Sequence, residues 1–312
     1  MSSPSDQPDP EQPDRPEPSG RDGARKPGPG LFIVATPIGN AGDITLRALE
    51  TLKGAHAVAC EDTRVTSKLF ARYGIRAPLL QYHEHNAARM RPVILDRVAS
   101  GETIALVSDA GTPLISDPGY KLVREARERG LPVTHLPGPS AALTALVLSG
   151  LPSDRFLFAG FLPNKRGARR TALAELAPVR ATLVLFESAQ RLEDMLADAA
   201  ETMPGREVAV TRELTKLFEE VRRGTLAELA EHYAKAGPPK GEVVVVIGPP
   251  PEPEEATGDE VDRLLTDALS RLSVKDASAE VAQALGKPRK EVYQRALELQ
   301  RAGSDGNDSE KR

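Results

Sequence analysis

The sequence predicts an α/β protein, and three patterns along its 312 residues indicate this class. Short apolar runs alternate with helix-like stretches, as is typical of β-α units on a mainly parallel sheet; the runs lie at 31–35, 56–60, 103–107 and 131–135, and the helical stretches at 45–54, 64–73, 87–100 and 119–130. A second group of strand-like runs follows at 156–160, 181–186, 207–211 and 242–247. A loop rich in small and polar residues follows the 103–107 run, where open α/β sheets bind ligands.

These patterns divide the chain into segments. We expect an N-terminal α/β domain at 31–137 and a second α/β domain at 138–248, whose closely spaced late strands, including one near 219–224, favour antiparallel pairing. An acidic, proline-rich linker at 249–258 leads to a helical unit at 259–302 that resembles helix-turn-helix modules, with helices near 259–271, 277–285 and 288–301. Residues 1–30 and 303–312 are predicted to be disordered tails, since they contain few apolar residues.

Composition argues against several classes of protein. No apolar run approaches the roughly 18 residues of a membrane span and the N-terminus is polar, so we expect a cytoplasmic protein without membrane contact. Cys60 is the single cysteine, and the five histidines show no metal-binding pattern beyond the pair His83 and His85, so neither a disulfide nor a metal is expected. The GxGxxG, GxxxxGK[ST] and GxSxG motifs are absent. A net charge of −4 is compatible with a polyanionic partner but does not indicate one.

The most informative segment is the loop 108–119, with the sequence SDAGTPLISDPG. Gly111 and Gly119 permit a positive φ or a close approach of the backbone, whereas Pro113 and Pro118 fix φ. We therefore expect a stiff, preformed loop that holds a ligand with its backbone groups.

Polar residues also follow two other predicted elements. Glu61, Asp62 and Arg64 come directly after the 56–60 run, at the ligand edge of the sheet, although Asp62 could instead cap the next helix. Ser140 and Ala141 begin the apolar helix 141–149, where free backbone N–H groups could meet polar atoms of a ligand; the alternative is a simple helix cap.

Six segments and the C-terminal helical unit resemble one known family. The segments are LFIVATPIGN (31–40), DITLRAL (43–49), EDTR (61–64), SDAGTPLISDPG (108–119), PGPS (137–140) and RELTK (212–216). They are similar to the 2′-O-ribose cytidine methyltransferases of the small ribosomal subunit, over about residues 30–300. The resemblance implies a two-domain tetrapyrrole-methylase-like fold with a cofactor cleft between the domains and S-adenosylmethionine as the cofactor. It also implies that the substrate is a decoding-centre cytidine of 16S rRNA in the small subunit and that the protein is a homodimer.

The resemblance, together with position in the predicted elements, also suggests site residues. Those expected to contact the cofactor are Ile38, Asp109, Ala110, Gly111, Thr112, Ile115, Ser140, Ala141, Glu187 and Leu214. A ribose hydroxyl is weakly acidic, so a carboxylate or a neutral lysine is the expected base. The candidates are Glu61 and Asp62 first, then Glu213 and Lys216, with Arg64 orienting a carboxylate or phosphate.

Two further features bear on the RNA and on the family pattern. The basic patch formed by Lys165, Arg166, Arg169 and Arg170 is predicted to bind RNA phosphates; the alternative is a solvated helix start. Gln190 stands where many family members carry histidine, so this chain would orient ligands there through an amide.

Two other functions remain open from the sequence. A methyltransferase for a corrin, a sirohaem precursor or another small molecule would share the fold, but it would lack the C-terminal helical unit. A non-catalytic RNA-binding factor of ribosome assembly would need neither the 108–119 loop nor the 61–64 segment.

Overall fold

The chain forms two compact units, which divide in sequence between Pro250 and Pro251. The computed structural model describes residues 27–251 and 257–308. Most of the predicted N-terminal tail, residues 252–256 of the predicted linker and the last four residues of the predicted C-terminal tail lie outside the described residues. No helix among those described is both long and apolar enough to span a bilayer.

The first compact unit begins with a five-stranded sheet. Its strands are β1 (Gly30–Val34), β2 (Ala57–Cys60), β3 (Leu79–Gln81), β4 (Thr103–Val107) and β5 (Val133–Leu136). They lie in the order β3-β2-β4-β1-β5, and every pairing is parallel. The sequence predicted four of these strands; β3 has only three residues, too few for a recognisable apolar pattern.

Helices cover both faces of this first sheet. One face is buried by the apolar side of α1 (Leu46–Gly54) and by α2 (Thr63–Tyr73), which contributes Phe70. The other face is buried by α3 (Ala87–Ala99) and α4 (Tyr120–Glu128). The chain therefore leaves β1 towards one face and β4 towards the other. Such a reversal between neighbouring parallel strands opens a crevice at their carboxyl ends, which places any ligand site beside the loops after β1 and β4.

A second five-stranded sheet follows in the same unit. Its strands are β6 (Phe156–Phe161), β7 (Thr182–Ser188), β8 (Glu207–Arg212), β9 (Glu220–Thr225) and β10 (Glu242–Ile247), in the order β6-β7-β10-β8-β9. Only β6 and β7 pair in parallel. The three remaining pairings are antiparallel, as the close spacing of the late strands predicted.

The second sheet is also covered on both faces. The apolar helix α5 (Ala141–Ser149) packs Ala142, Ala145 and Leu146 against one face. The other face is covered by α6 (Arg166–Leu176), α7 (Leu192–Thr202) and α8 (Leu226–Ala236). The α/β class predicted from the sequence is thus confirmed.

The second compact unit contains three helices, α9 (Gly258–Leu269), α10 (Val274–Leu285) and α11 (Arg289–Asp308). Leu265, Ala277 and Val292 are buried in its core. Helix α10 begins at residue 274 rather than at the predicted 277, because the Ser273 side chain accepts a hydrogen bond from the Asp276 N–H and caps the helix there. Helix α11 continues past residue 302 to Asp308.

Candidate active site

A cavity of about 450 Å³ lies within the first compact unit, and we call it the central cavity. Its walls come from the loop after β4, the start of α5 and the facing ends of β7 and β10. It therefore occupies the crevice that the reversal between β1 and β4 predicts.

The central cavity brings together nine of the ten residues that the sequence predicted to contact a cofactor. They are Ile38, Ala110, Gly111, Thr112, Ile115, Ser140, Ala141, Glu187 and Leu214. The exception is Asp109, which lines a neighbouring cavity and whose Oδ1 accepts the Asp62 N–H at 3.1 Å. Residues separated by more than a hundred positions in the chain thus share one wall.

Backbone and hydroxyl hydrogen bonds fix the loops around the central cavity. Thr36 and Gly111 form an antiparallel bridge, with N–H to O=C distances of 2.9 and 3.0 Å. The Ser108 hydroxyl donates to the Gly111 carbonyl at 3.2 Å, and the Thr112 hydroxyl donates to the Pro139 carbonyl at 3.0 Å. The loops after β1, β4 and β5 are therefore held to one another, as the stiffness predicted for the 108–119 loop requires.

Backbone strain is concentrated beside this cavity. Among the described residues, the non-glycine residues with positive φ are Leu114 (74°), Ser116 (64°), Glu213 (49°) and Thr215 (64°). The first pair lies in the 108–119 loop and the second in the 212–216 loop. Strained non-glycine backbone persists only where its surroundings enforce it, and it clusters at functional sites.

The donors and apolar side chains of the central cavity suit an amphipathic ligand. The N–H groups of Ala141 and Ala142, at the start of α5, donate to no acceptor within residues 27–251 and are free to bind a polar group. Ile38, Phe186 and Leu214 add an apolar wall. A β-carbon at Gly111, whose φ is 79°, would lie 3.4 Å from Ile38 Cγ2, so glycine lets the backbone approach the cavity closely.

The structure gives Asp62 and Arg64 a structural role. The Asp62 side chain accepts the Arg64 N–H at 2.8 Å and caps α2. It also binds the Arg64 guanidinium at 2.6 Å. Hydrogen bonds from Arg64 hold the pKa of Asp62 at about 2. A carboxylate this acidic is a weak proton acceptor, so these contacts correct the expectation that Asp62 is a leading candidate for the base.

Glu213 and Lys216 neutralise each other. The Lys216 ammonium lies 2.8 Å from Glu213 Oε1 and 2.7 Å from Glu242 Oε2. Burial alone would lower the pKa of Lys216, but the two carboxylates raise it. The same hydrogen bond, with one from the Glu242 N–H, lowers the pKa of Glu213. Lys216 is therefore a charged ammonium rather than a neutral amine, which corrects the expectation that either residue is a base.

The structure places a carboxylate in the central cavity that the sequence analysis missed, Asp117. Burial, together with the negative charges of Glu61 and Asp109, raises its pKa from 3.8 to about 6, although a hydrogen bond with Ser108 opposes the rise. The sequence signal was available, because the 108–119 loop contains the pair Ser-Asp twice. Across the described ranges, no three His, Cys, Asp or Glu side chains are grouped so that they could hold a metal ion.

Comparisons with known proteins identify the family. The model for tetrapyrrole (corrin/porphyrin) methylases matches residues 30–230, and the model for the RsmI C-terminal HTH domain matches residues 255–300. A protein of Mesorhizobium japonicum named ribosomal RNA small subunit methyltransferase I is 52% identical over 288 residues, covering 91% of this chain and 97% of its own. The chain belongs to the ribosomal RNA small subunit methyltransferase I family. A relative of the same name from Erythrobacter litoralis is 56% identical over 273 residues, covering 87% of this chain and 95% of its own.

Solved structures agree with the fold of this family. A conserved hypothetical protein of Aeropyrum pernix has a TM-score of 0.57 at 17% identity, covering 89% of this chain and 98% of its own. A cobalt precorrin-4 methyltransferase of cobalamin biosynthesis has a TM-score of 0.53 at 20% identity, covering 70% and 94%. At these identities the likeness concerns the fold alone.

Gln190 of this family member lies on the wall of the central cavity. Beside it, the buried Glu187 carboxylate accepts the Ser188 N–H at 2.7 Å and binds Arg191 at 2.9 Å. Arg191 also donates to the Leu162 carbonyl at 2.8 Å. The Glu187–Arg191 pair therefore stabilises the wall, and Gln190 adds a neutral, exposed amide to it.

The basic patch of this ribosomal RNA methyltransferase family member is largely neutralised by α7. Arg169 is 3% exposed and binds the buried Asp198 at 2.7 Å. Arg166 also binds Asp198, at 3.0 Å, and Arg170 binds Glu201. Arg169 is therefore a packing residue, which corrects the prediction that it contacts RNA. Arg166 and Arg170 are exposed but paired, and Lys165 is exposed at the start of α6.

Proposed function

We propose that this protein transfers a methyl group from S-adenosylmethionine to the 2′-hydroxyl of a decoding-centre cytidine in 16S rRNA. The observation that carries the proposal is the central cavity, which gathers the predicted cofactor residues and Asp117 in a chain whose relatives are named ribosomal RNA small subunit methyltransferase I. The small ribosomal subunit is the proposed substrate particle, and a homodimer is the proposed assembly.

The central cavity offers each part of the cofactor a matching surface. The N–H groups of Ala141 and Ala142 would bind polar atoms of its amino-acid or ribose part, and Ile38 and Leu214 would contact its apolar parts. When bound, S-adenosylmethionine supplies an activated methyl group, which passes from its sulfonium sulfur to the ribose oxygen while the sulfur keeps the electron pair of the broken bond. The stiff loops fix the orientation of both reactants, and orientation supplies much of the acceleration for a good leaving group.

Asp117 is the proposed acceptor of the proton that leaves the 2′-hydroxyl. A general base works best when its pKa lies near the working pH, and burial with the charges of Glu61 and Asp109 brings the pKa of Asp117 to about 6. Glu61 acts through Asp117, since its charge helps to keep that pKa raised. Asp62 and Arg64 hold the start of α2, and Lys216 holds the 212–216 loop, so these residues position the site.

The position of the cysteine favours an oxygen acceptor over a pyrimidine carbon. Methylation at such a carbon uses a covalent nucleophile, for which a thiolate is the usual group. Cys60 is the only cysteine, its side chain is fully buried in β2, and burial raises its pKa. The thiol is therefore neither accessible nor ionised, whereas a 2′-hydroxyl needs only the base that Asp117 provides.

The decisive experiment is the transfer of labelled methyl groups from S-adenosylmethionine to small subunits purified from a strain that lacks this gene. Nuclease mapping of the product should place a 2′-O-methyl group on a decoding-centre cytidine. Binding of S-adenosylmethionine without transfer to subunits or to free 16S rRNA would overturn the proposal and favour a small-molecule acceptor. Sedimentation equilibrium of the purified protein alone tests whether it is a homodimer.

A further inference from the structure

A second cavity, of about 370 Å³, lies beside the central cavity, and we call it the α2 cavity. It is formed by the loop after β1, one face of α2 and the first residues of the loop after β4. Ile38 and Ala110 line both cavities, so the two spaces adjoin at these residues.

The face of α2 that lines this cavity combines apolar and cationic side chains. Val65, Lys68, Leu69 and Arg72 are spaced at three- and four-residue intervals, which places them on one side of the helix. Val65 is 38% exposed, so its side chain is accessible from the cavity. The helix thus presents an apolar strip with a positive edge.

The two cations are available to bind a ligand. Lys68 and Arg72 are exposed, and neither forms an ion pair within the part of the chain that the structure describes. The Arg64 guanidinium, one turn earlier, is instead bound by Asp62. Arg166 and Arg170 in the predicted RNA patch are likewise bound by carboxylates. Among the described residues, Lys68 and Arg72 on α2 therefore provide unpaired positive charge beside the central cavity, and the exposed Lys165 at the start of α6 is also unpaired, whereas Arg166 and Arg170 are not.

We propose that the α2 cavity receives the target nucleotide of the RNA, turned out of its strand, with phosphates next to it bound by Lys68 and Arg72. Val65 and Leu69 would contact the base or sugar, and the ribose would lie at Ile38 and Ala110, where the two cavities adjoin, so that its 2′-hydroxyl faces the methyl group and Asp117 in the central cavity. This assignment rests on the proposed function. Enzymes that act on a base turn it out of the strand into a pocket, and cations at a pocket edge bind phosphates whatever the sequence.

The test compares two double variants in which the same charge is removed. Lys68→Ala/Arg72→Ala removes the cations of the α2 cavity. The control, Lys53→Ala/Arg76→Ala, removes an exposed lysine and an exposed arginine that line neither cavity. Binding to small subunits and to 16S rRNA is measured over a range of salt concentrations. The slope of log K against log salt is negative, and loss of two phosphate contacts should reduce its magnitude by about 1.4. The control variant should reduce it by less than half as much.

A third variant tests the space itself. Val65→Trp should fill the α2 cavity without changing the charge. We expect it to abolish methyl transfer to subunits while the affinity for S-adenosylmethionine, measured by calorimetry, stays within twofold of that of the natural protein. Circular dichroism and thermal unfolding verify that the variant is folded, and the conservative Val65→Ile variant should keep its activity.

The outcomes separate this inference from the proposed function. If the natural protein methylates subunits and the Lys68→Ala/Arg72→Ala variant behaves as the control does, the α2 cavity is not the nucleotide site. If the natural protein binds RNA without methylating it, and the same variant loses the salt-dependent part of that binding, the proposed chemistry fails and the site stands. If the natural protein neither binds nor methylates RNA, both are overturned.

Discussion

Replacing Asp117 by asparagine should remove activity and at the same time stabilise the fold. Burial and the charges of Glu61 and Asp109 raise the pKa of Asp117 from 3.8 to about 6. A rise of about two units in pKa means that folding disfavours the ionised form, relative to the protonated form, by about 3 kcal/mol of free energy. This value is an upper bound for a partly exposed group. Above pH 6 the ionised carboxylate therefore lowers the free energy of unfolding, whereas below about pH 4 the group is protonated in both states and has no such effect.

Asparagine has nearly the shape of aspartate and does not ionise. We therefore expect Asp117→Asn to unfold several degrees above the natural protein at pH 8, and this gain should shrink as the pH falls from 6 towards 4. Methyl transfer to subunits should fall by about 10²- to 10⁴-fold, the usual effect of losing a general base. In the natural protein, kcat/KM should fall about tenfold per pH unit below pH 6.

The assays are thermal unfolding between pH 5 and 8 and labelled methyl transfer at the same pH values. Asp154→Asn is the matched control, since it changes an exposed carboxylate that lines neither cavity. Undiminished transfer by Asp117→Asn would refute its role as the base. A stability gain that is the same at every pH would refute the explanation by a raised pKa. Glu61→Gln should move the acid limb of kcat/KM to lower pH, because it removes a charge that raises the pKa of Asp117.

Three further variants test the site and its support. Gly111→Ala should weaken S-adenosylmethionine binding, measured by calorimetry, because alanine is strained at a φ of 79° and its β-carbon would approach Ile38; unchanged affinity would contradict this. Asp198→Ala should lower the free energy of unfolding, measured in urea, by about 3–5 kcal/mol, because Arg169 is then buried without its main partner. A decrease of less than about 1 kcal/mol would contradict the packing role of this ion pair. Asp62→Asn should keep most of the methyl transfer activity, because asparagine also caps a helix; a loss as large as that of Asp117→Asn would return Asp62 to the role of base.

Features that depend on neighbouring residues were largely predictable from the sequence. The strands β1, β2, β4 and β10 are apolar runs, which the sequence predicted, whereas the Ser273 cap that begins α10 at residue 274 was missed. The short strand β3 was missed, because three residues paired to β2 carry too little pattern.

The role of each charged residue was harder to predict, because it depends on partners that are distant in sequence. Arg169 looks like a surface cation until Asp198, on α7, is placed against it. Lys216 could have been a neutral base, but Glu242, the first residue of β10, lies 2.7 Å from its ammonium group. Asp117 follows a serine just as Asp109 does in the same loop, but burial and the nearby charges of Glu61 and Asp109 raise its pKa.

The sequence by itself determined the fold class, the family resemblance and a set of candidate cofactor residues, nine of which line the central cavity, because strand and helix patterns and loop motifs are local properties of the chain. The tertiary structure decided which carboxylate has a raised pKa, which cations are unpaired among the described residues, and that two cavities share a wall at Ile38 and Ala110. The physical reason is that pKa and charge pairing depend on distance and burial in space. Neither quantity is set by separation along the chain.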